Sequence, residues 1–369
     1  MIKPRKYLYP AAFLYGCAVS LRNKLFDAGI LKEKEYDVPI ICVGNITVGG
    51  TGKTPITEYL VRLLQPEYRV AVLSQGYKRK TSGFILADEK STSKTIGDEP
   101  FQLFKKFPDI LVAVDKNRRR GIENLLNLGD NKAPEVILLD DAFQHRYVKS
   151  GFSVLLSNYN RPFYEDALMP AGLLREQKSA KNRADVVIVT KCPENIKPIE
   201  ARIIEKNLNL FPYQQLFFSS LSYQKLIPLF PEFGQNALDL NFIDETATVL
   251  LITGIAGPQP LVDKIKSRGC RLEHLKYPDH HWFTTNDINT IEKKYAEIKS
   301  EKKLIITTEK DVGRLMDCNF RNVDFKKNIY NITIETLFVH KNIHHLNNLI
   351  QNYVRTYKRN SSIPLKEVK

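Results

Sequence analysis

The sequence predicts an α/β protein: a parallel sheet covered by helices, preceded by a helix lying at a membrane interface and followed by a second, smaller α/β domain. Three observations predict it. From residue 38 to about 218, continuous apolar runs of strand length alternate with helix-like runs, the pattern of parallel strands buried on both faces. A glycine-rich loop joins the first of those strands to a helix, which makes the sheet one of the P-loop NTPase type. After a linker-like stretch with Pro228, Pro231 and Gly234, a new alternation starts at Thr248. At 369 residues the chain is too long for one typical core, and the divisions fall at 1–30, 31–218 and 219–369.

The first element is the uncharged run Tyr7–Leu21, flanked by Lys3, Arg5 and Lys6 on one side and Arg22 and Lys24 on the other. As a helix these fifteen residues reach about 22 Å, short of a bilayer core of about 30 Å, so the run does not span. Basic flanks with tyrosines and a phenylalanine suit a segment lying in the interface of an anionic leaflet. The alternatives are a helix packed on its own core, and an export signal around Leu14-Tyr15-Gly16-Cys17, which would strand a nucleotide site outside the cytosol.

Next comes the strand Val38–Val43, the loop Thr47-Val48-Gly49-Gly50-Thr51-Gly52-Lys53-Thr54 and the helix Pro55–Leu64. Backbone N–H groups with little side-chain bulk around them wrap a polyphosphate at the helix N-terminus. Lys53 supplies a point charge and the Thr54 hydroxyl a ligand for magnesium. The ligand implied is a nucleoside triphosphate. Thr47 stands where the usual spacing has its first glycine, and Gly49 and Gly50 restore the flexibility.

Further strands are read at 69–74, 110–114, 136–139, 153–156 and 186–189, then at 248–253 and 303–308. Polar motifs begin where the strands end. Asp140 and Asp141 follow the strand at 136–139 directly, the position from which such enzymes hold magnesium or its waters, and Asp140 is the better metal candidate. Gly97-Asp98-Glu99-Pro100 opens a helix, and its acids serve either the helix dipole or a reacting hydroxyl. In the second domain, Tyr277-Pro278-Asp279-His280-His281-Trp282-Phe283 offers one histidine as a catalytic partner, without the regular spacing of a zinc site. His340, His344 and His345 read as surface or helix residues, and the polar, basic tail from about Lys358 as disordered.

Composition narrows the class. The net charge of +14 implies an anionic partner, whether phosphorylated substrate, acidic membrane or nucleic acid. Five scattered cysteines, Cys17, Cys42, Cys192, Cys270 and Cys318, form no Cys-x-x-Cys pair and fit a reducing compartment.

The phosphate loop, the Gly97–Pro100 turn, the Asp140-Asp141-Ala142-Phe143-Gln144-His145 box, Gly172-Leu173-Leu174-Arg175-Glu176 and Pro278-Asp279-His280 resemble, in that order, the motifs of the tetraacyldisaccharide 4′-kinase family of Gram-negative bacteria, across roughly residues 5 to 345. The resemblance implies transfer of the ATP γ-phosphate, with Mg2+, to the 4′-hydroxyl of an acylated glucosamine disaccharide 1-phosphate, giving the lipid A precursor lipid IVA. It implies Asp98 as the base, His280 as the residue that holds it, and Lys53 and Thr54 on phosphates and metal. Asp140, Asp141 and Glu99 would organise magnesium and its waters, while Asn45, Arg118, Arg175 and Glu176 would line the substrate side. The expected place of work is the cytoplasmic face of the inner membrane, reached peripherally through its anionic surface. One departure stands out: Gln75, in Ser74-Gln75-Gly76-Tyr77, replaces the family's usual arginine, leaving Lys78 or Arg79 as partial substitutes.

Two rival classes fit less well. In a P-loop GTPase or metallochaperone ATPase, guanine specificity asks for Asn/Thr-Lys-x-Asp, but Thr190-Lys191-Cys192-Pro193 ends in proline and Thr308-Glu309-Lys310-Asp311 does not fit the spacing either. A nucleic-acid-binding role is disfavoured because the basic residues are dispersed and belong to no recognisable module. No sequence signal sets the oligomeric state.

Overall fold

The structure, a computed structural model, describes residues 4–129, 131–233, 235–339 and 343–361. Lys3, Gly234, His340 and the tail beyond residue 361 lie outside them.

Helix α1 (Tyr9–Asp27) precedes a first half made of β1 (Ile40–Asn45), α2 (Lys53–Leu64), β2 (Val70–Ser74), β3 (Ile85–Leu86), α3 (Ser93–Ile96), α4 (Asp98–Lys106), β4 (Leu111–Val114), α5 (Arg118–Leu126), β5 (Val136–Asp140), β6 (Phe152–Asn158), β7 (Val186–Thr190) and α6 (Pro198–Leu208). The long strand β8 (Gln215–Pro228) leads into a second half: β9 (Leu238–Asp239), β10 (Thr248–Thr253), α7 (Gln259–Lys266), β11 (Arg271–Lys276), α8 (Thr285–Glu297), β12 (Lys303–Thr308), α9 (Glu309–Met316), α10 (Val323–Asn328), β13 (Ile329–Phe338) and α11 (Ile343–Ser361). Every residue of β1, β2, β5 and β7 is buried, which is why these strands read as unbroken apolar runs rather than alternating ones.

The thirteen strands among the described residues form one sheet in the order β3-β4-β2-β5-β1-β6-β7-β8-β13-β12-β10-β11, with β9 paired to β8. Both halves therefore share a sheet. Residues 215–218 of β8 run parallel to β7, and from Ser219 the same strand runs antiparallel to β13. The division expected at 218/219 thus falls where β8 exchanges partners, within an unbroken strand.

Apolar clusters fill both faces of each half. Helix α11 returns to the first half, where Leu346, Ile350 and Val354 join the cluster built on Ile41, Val43 and Leu60. Helix α11 runs to Ser361, past Lys358 where the sequence reads as the start of a disordered tail, and the rest of that tail lies outside the described residues.

Helix α1 docks by one face. Ala12, Gly16 and Phe26 are buried, whereas Phe13 and Leu14 are 70% exposed and Leu21 is 61% exposed. The buried face fits the reading of a helix packed on its own core, and the other face is exposed. Among the described residues no helix is long and apolar enough to cross a membrane.

Candidate active site

The site gathers at the C-terminal ends of β1 and β5, where open α/β sheets bind ligands. After β1 the chain turns through the glycine-rich loop, with Gly49 at φ +109° and Gly52 at φ +80°, and enters α2 at Lys53. Two outside segments brace the loop. Val48 N–H donates to Leu173 O at 2.8 Å and Arg175 N–H to Ile46 O at 2.7 Å, while Thr190 Oγ1 donates to Thr51 O at 2.7 Å and Lys191 Nζ to Gly50 O at 2.8 Å.

Two carboxylates at the end of β5 face this loop in unlike surroundings. Asp141 lies 3.5 Å from Lys53 Nζ and 2.8 Å from Arg175 Nη2; burial acts to raise its pKa, but Lys53 and then Arg175 outweigh it and hold the carboxyl below its ordinary value. Asp140 is 5% exposed, and its side chain has the Thr57 hydroxyl at 3.5 Å. Burial, and then the neighbouring Asp141, push it up to about 6, with Glu99 adding to the rise. A buried acid beside a second carboxylate is what a hard divalent cation would relieve, and Thr54, Asp140 and Glu99 offer the oxygen donors that magnesium takes. Among the described residues no group of three His, Cys, Asp or Glu side chains could hold a metal by itself. That suits a metal bound through one or two carboxylates and the nucleotide phosphates.

Opposite stands the Gly97–Pro100 turn. Gly97 adopts φ +95°, and a Cβ there would meet Tyr77 O at 3.1 Å and Gly76 Cα at 3.2 Å, so a side chain would disturb the start of α4. Asp98 opens that helix, 7% exposed. Its Oδ2 lies 2.9 Å from His280 Nδ1 and 3.5 Å from Arg314 Nε, both supplied by the second half. His280 occupies the left-handed region at φ +61°, held by its N–H bond to Gly254 O at 3.1 Å, and the Tyr77 ring packs edge-on against it at 5.4 Å. The halves dock tightly here: a Cβ on Gly313 of α9 would lie 2.6 Å from Phe101 of α4.

Of the four residues expected on the substrate side, Arg175 is the open one, with 23% of its side chain exposed. Asn45, Arg118 and Glu176 are 0%, 3% and 1% exposed. Asn45 bonds both Arg175 and Thr51 Oγ1, tying the guanidinium to the phosphate loop. Arg118 donates to the main-chain oxygens of Asp115 and Asp140 beneath β5. Glu176 accepts from Arg183 and Asn23. His145 lies half-buried at the end of the Asp140 box, where burial and the Arg118 charge lower it to about 4. Neither substitute for the missing arginine takes its place: Arg79 donates to Gly83 O at 2.6 Å within its own loop, and Lys78 lies over the Tyr77 ring.

The sequence profile of tetraacyldisaccharide-1-P 4′-kinase matches residues 4–353. The chain belongs to that kinase family. It is 49% identical to the tetraacyldisaccharide 4′-kinase of Bacteroides thetaiotaomicron over 99% of this chain and 97% of that one. It is 50% identical to the kinase of the same name from Phocaeicola vulgatus over 98% of each. The crystal structure of LpxK from Aquifex aeolicus in complex with ATP superposes with a TM-score of 0.73 at 27% identity, covering 95% of this chain and 99% of that one. Family membership leaves several contacts of this chain without an expected role. The kinase motifs do not single out Lys310 and Arg314 on α9, or Tyr15, whose hydroxyl reaches Arg175 O, and they include Tyr77 without its place beside His280. The Lys310 signal lay in Thr308-Glu309-Lys310-Asp311, which sequence spacing weighed only as a guanine-binding motif.

Proposed function

We propose that the chain transfers the γ-phosphate of ATP to the 4′-hydroxyl of a tetraacylated glucosamine disaccharide 1-phosphate, giving lipid IVA in lipid A biosynthesis. Beyond family membership, the observation that carries this reading is the Asp98–His280 pair, brought from separate halves to the side of the phosphate loop. Asp98 accepts the proton of the 4′-hydroxyl as the oxygen attacks phosphorus, and His280 holds the carboxylate from behind. Lys53 and the loop N–H groups of residues 47–54 bind the phosphates, and Asp141 keeps Lys53 and Arg175 in place. Thr54, Asp140 and Glu99 would hold the magnesium ion, which when bound neutralises charge on the transferring phosphates. Arg175 is the cation placed to meet the substrate, while Asn45, Arg118 and Glu176 position it and Asp140 from within.

The substrate's acyl chains keep it in a bilayer, since each buried methylene contributes about 0.8 kcal/mol. Helix α1, with Phe13, Leu14 and Leu21 exposed beside Arg22 and Lys24 and with exposed Tyr7 just before it, is read as the peripheral contact with the anionic cytoplasmic leaflet. Labelled phosphate moving from ATP to the lipid disaccharide, followed by thin-layer chromatography, tests the activity. A folded protein that transfers none overturns it.

A further inference from the structure

Lys310 stands at the second residue of α9 with three acceptors around one ammonium group: Glu99 Oε1 at 3.1 Å, His280 Nε2 at 3.1 Å and Asp279 Oδ1 at 3.4 Å. Two of those acceptors, Glu99 and Asp279, are carboxylates in ion-pair contact with the amine. An ammonium has three donors and no acceptor, so a ring nitrogen facing it must present a lone pair. That leaves the imidazole proton on Nδ1, where Asp98 Oδ2 accepts it at 2.9 Å. The opposite tautomer would set Nε2–H against the ammonium and the Nδ1 lone pair against a carboxylate.

We propose that Lys310 is a positioning residue that fixes the tautomer of His280, so that Nδ1–H holds Asp98 Oδ2 and leaves Asp98 Oδ1 to receive the sugar hydroxyl. The consequence for catalysis rests on the reading of Asp98 as the base; the tautomer itself does not. Each of the three acceptors uses one of the amine's hydrogens, and the left-handed backbone and the Tyr77 ring leave His280 little freedom to turn away.

The test reads the tautomer directly, without substrate, by 15N resonances of the His280 ring in the full chain, identified by their loss in His280→Gln. The wild-type ring should show a protonated Nδ1 and an unprotonated Nε2. Lys310→Met should mix the two forms, and Lys310→Arg, which keeps a cationic donor, should restore the wild-type pattern. In the kinase assay Lys310→Met should lower kcat about tenfold or more with little change in the KM for ATP. It should add nothing further in a His280→Ala background. A wild-type ring protonated on Nε2, or resonances that ignore Lys310→Met, would overturn the proposal whatever the enzyme phosphorylates. A Lys310→Met penalty that persists in full without His280 would overturn it too, placing Lys310 on the phosphates instead.

Discussion

The Tyr15 hydroxyl donates to the main-chain oxygen of Arg175 at 2.8 Å, which fastens helix α1 to the loop that carries the exposed arginine of the site. Asn23 Nδ2 adds a bond to Glu176 Oε2 at 2.9 Å, and Arg22 Nη2 one to Gln144 O at 2.8 Å. One face of the helix thus braces the site while the other carries the proposed membrane contact, and removing the helix whole would disturb both.

Substitutions on its outer face separate them. Phe13→Asp with Leu14→Asp leaves Ala12, Gly16, Tyr15 and Asn23 in place while setting two carboxylates against an anionic surface. The double variant should keep its melting temperature and ATP affinity but lose sedimentation with anionic vesicles and activity on substrate in bilayers. Vesicle binding equal to wild type would assign membrane contact to another surface.

Asp98→Asn should lower kcat about 100-fold or more, the usual scale for losing a general base, with the KM for ATP little changed. His280→Ala should cost less, and the double variant should be clearly non-additive, since the two side chains are in contact. Wild-type turnover in Asp98→Asn removes the carboxylate from the chemistry.

Asp140→Asn should raise the magnesium concentration needed for half-maximal rate, because the buried carboxylate is the strongest oxygen donor at the end of β5. Lys53→Ala should act on rate instead, through charge on the phosphates. Superimposable magnesium titrations for wild type and Asp140→Asn would place Asp140 outside the metal shell.

A pH effect is expected at the junction of α2, α4 and α9. There Lys106 Nζ serves two carboxylates, Glu58 at 2.7 Å and Glu309 at 2.6 Å. Burial, and then Glu58, push Glu309 up to about 7 from 4.5. The folded state thus binds this proton more tightly than the unfolded chain. Its contribution is fully present below 4.5 and is lost as the pH climbs toward 7. Urea melts should show Glu309→Gln gaining stability relative to wild type as the pH rises through that window. A difference that stays constant with pH would count against it.

Much of the first half is legible in the sequence because burial on both faces of β1, β2, β5, β6 and β7 leaves unbroken apolar runs, each ending at a polar motif. Strand β8 is not legible, because most of its residues are half-exposed, with Phe217, Ser219, Ser220 and Leu226 buried, as it passes from one half to the other. Half-exposed β11 is hidden for a similar reason. The acids and glycines of the site announce themselves by local spacing. Lys310 and Arg314 do not, since each acts through a partner at least thirty residues away in the chain, and the docking of α9 on α4 brings them to the site.

Strand β8 carries a mechanical consequence. Because one strand is hydrogen-bonded to β7 at its start and to β13 over the rest, the half of the sheet that carries the glycine-rich loop and the half that carries the helix with Lys310 are joined through one continuous strand. The β8–β13 ladder that joins the halves has one irregularity, a register shift between Ile332 and Ile334. On the proposed reading of Asp98 as the base, a substrate that parted Asp98 from His280 would work against the twist of this ladder.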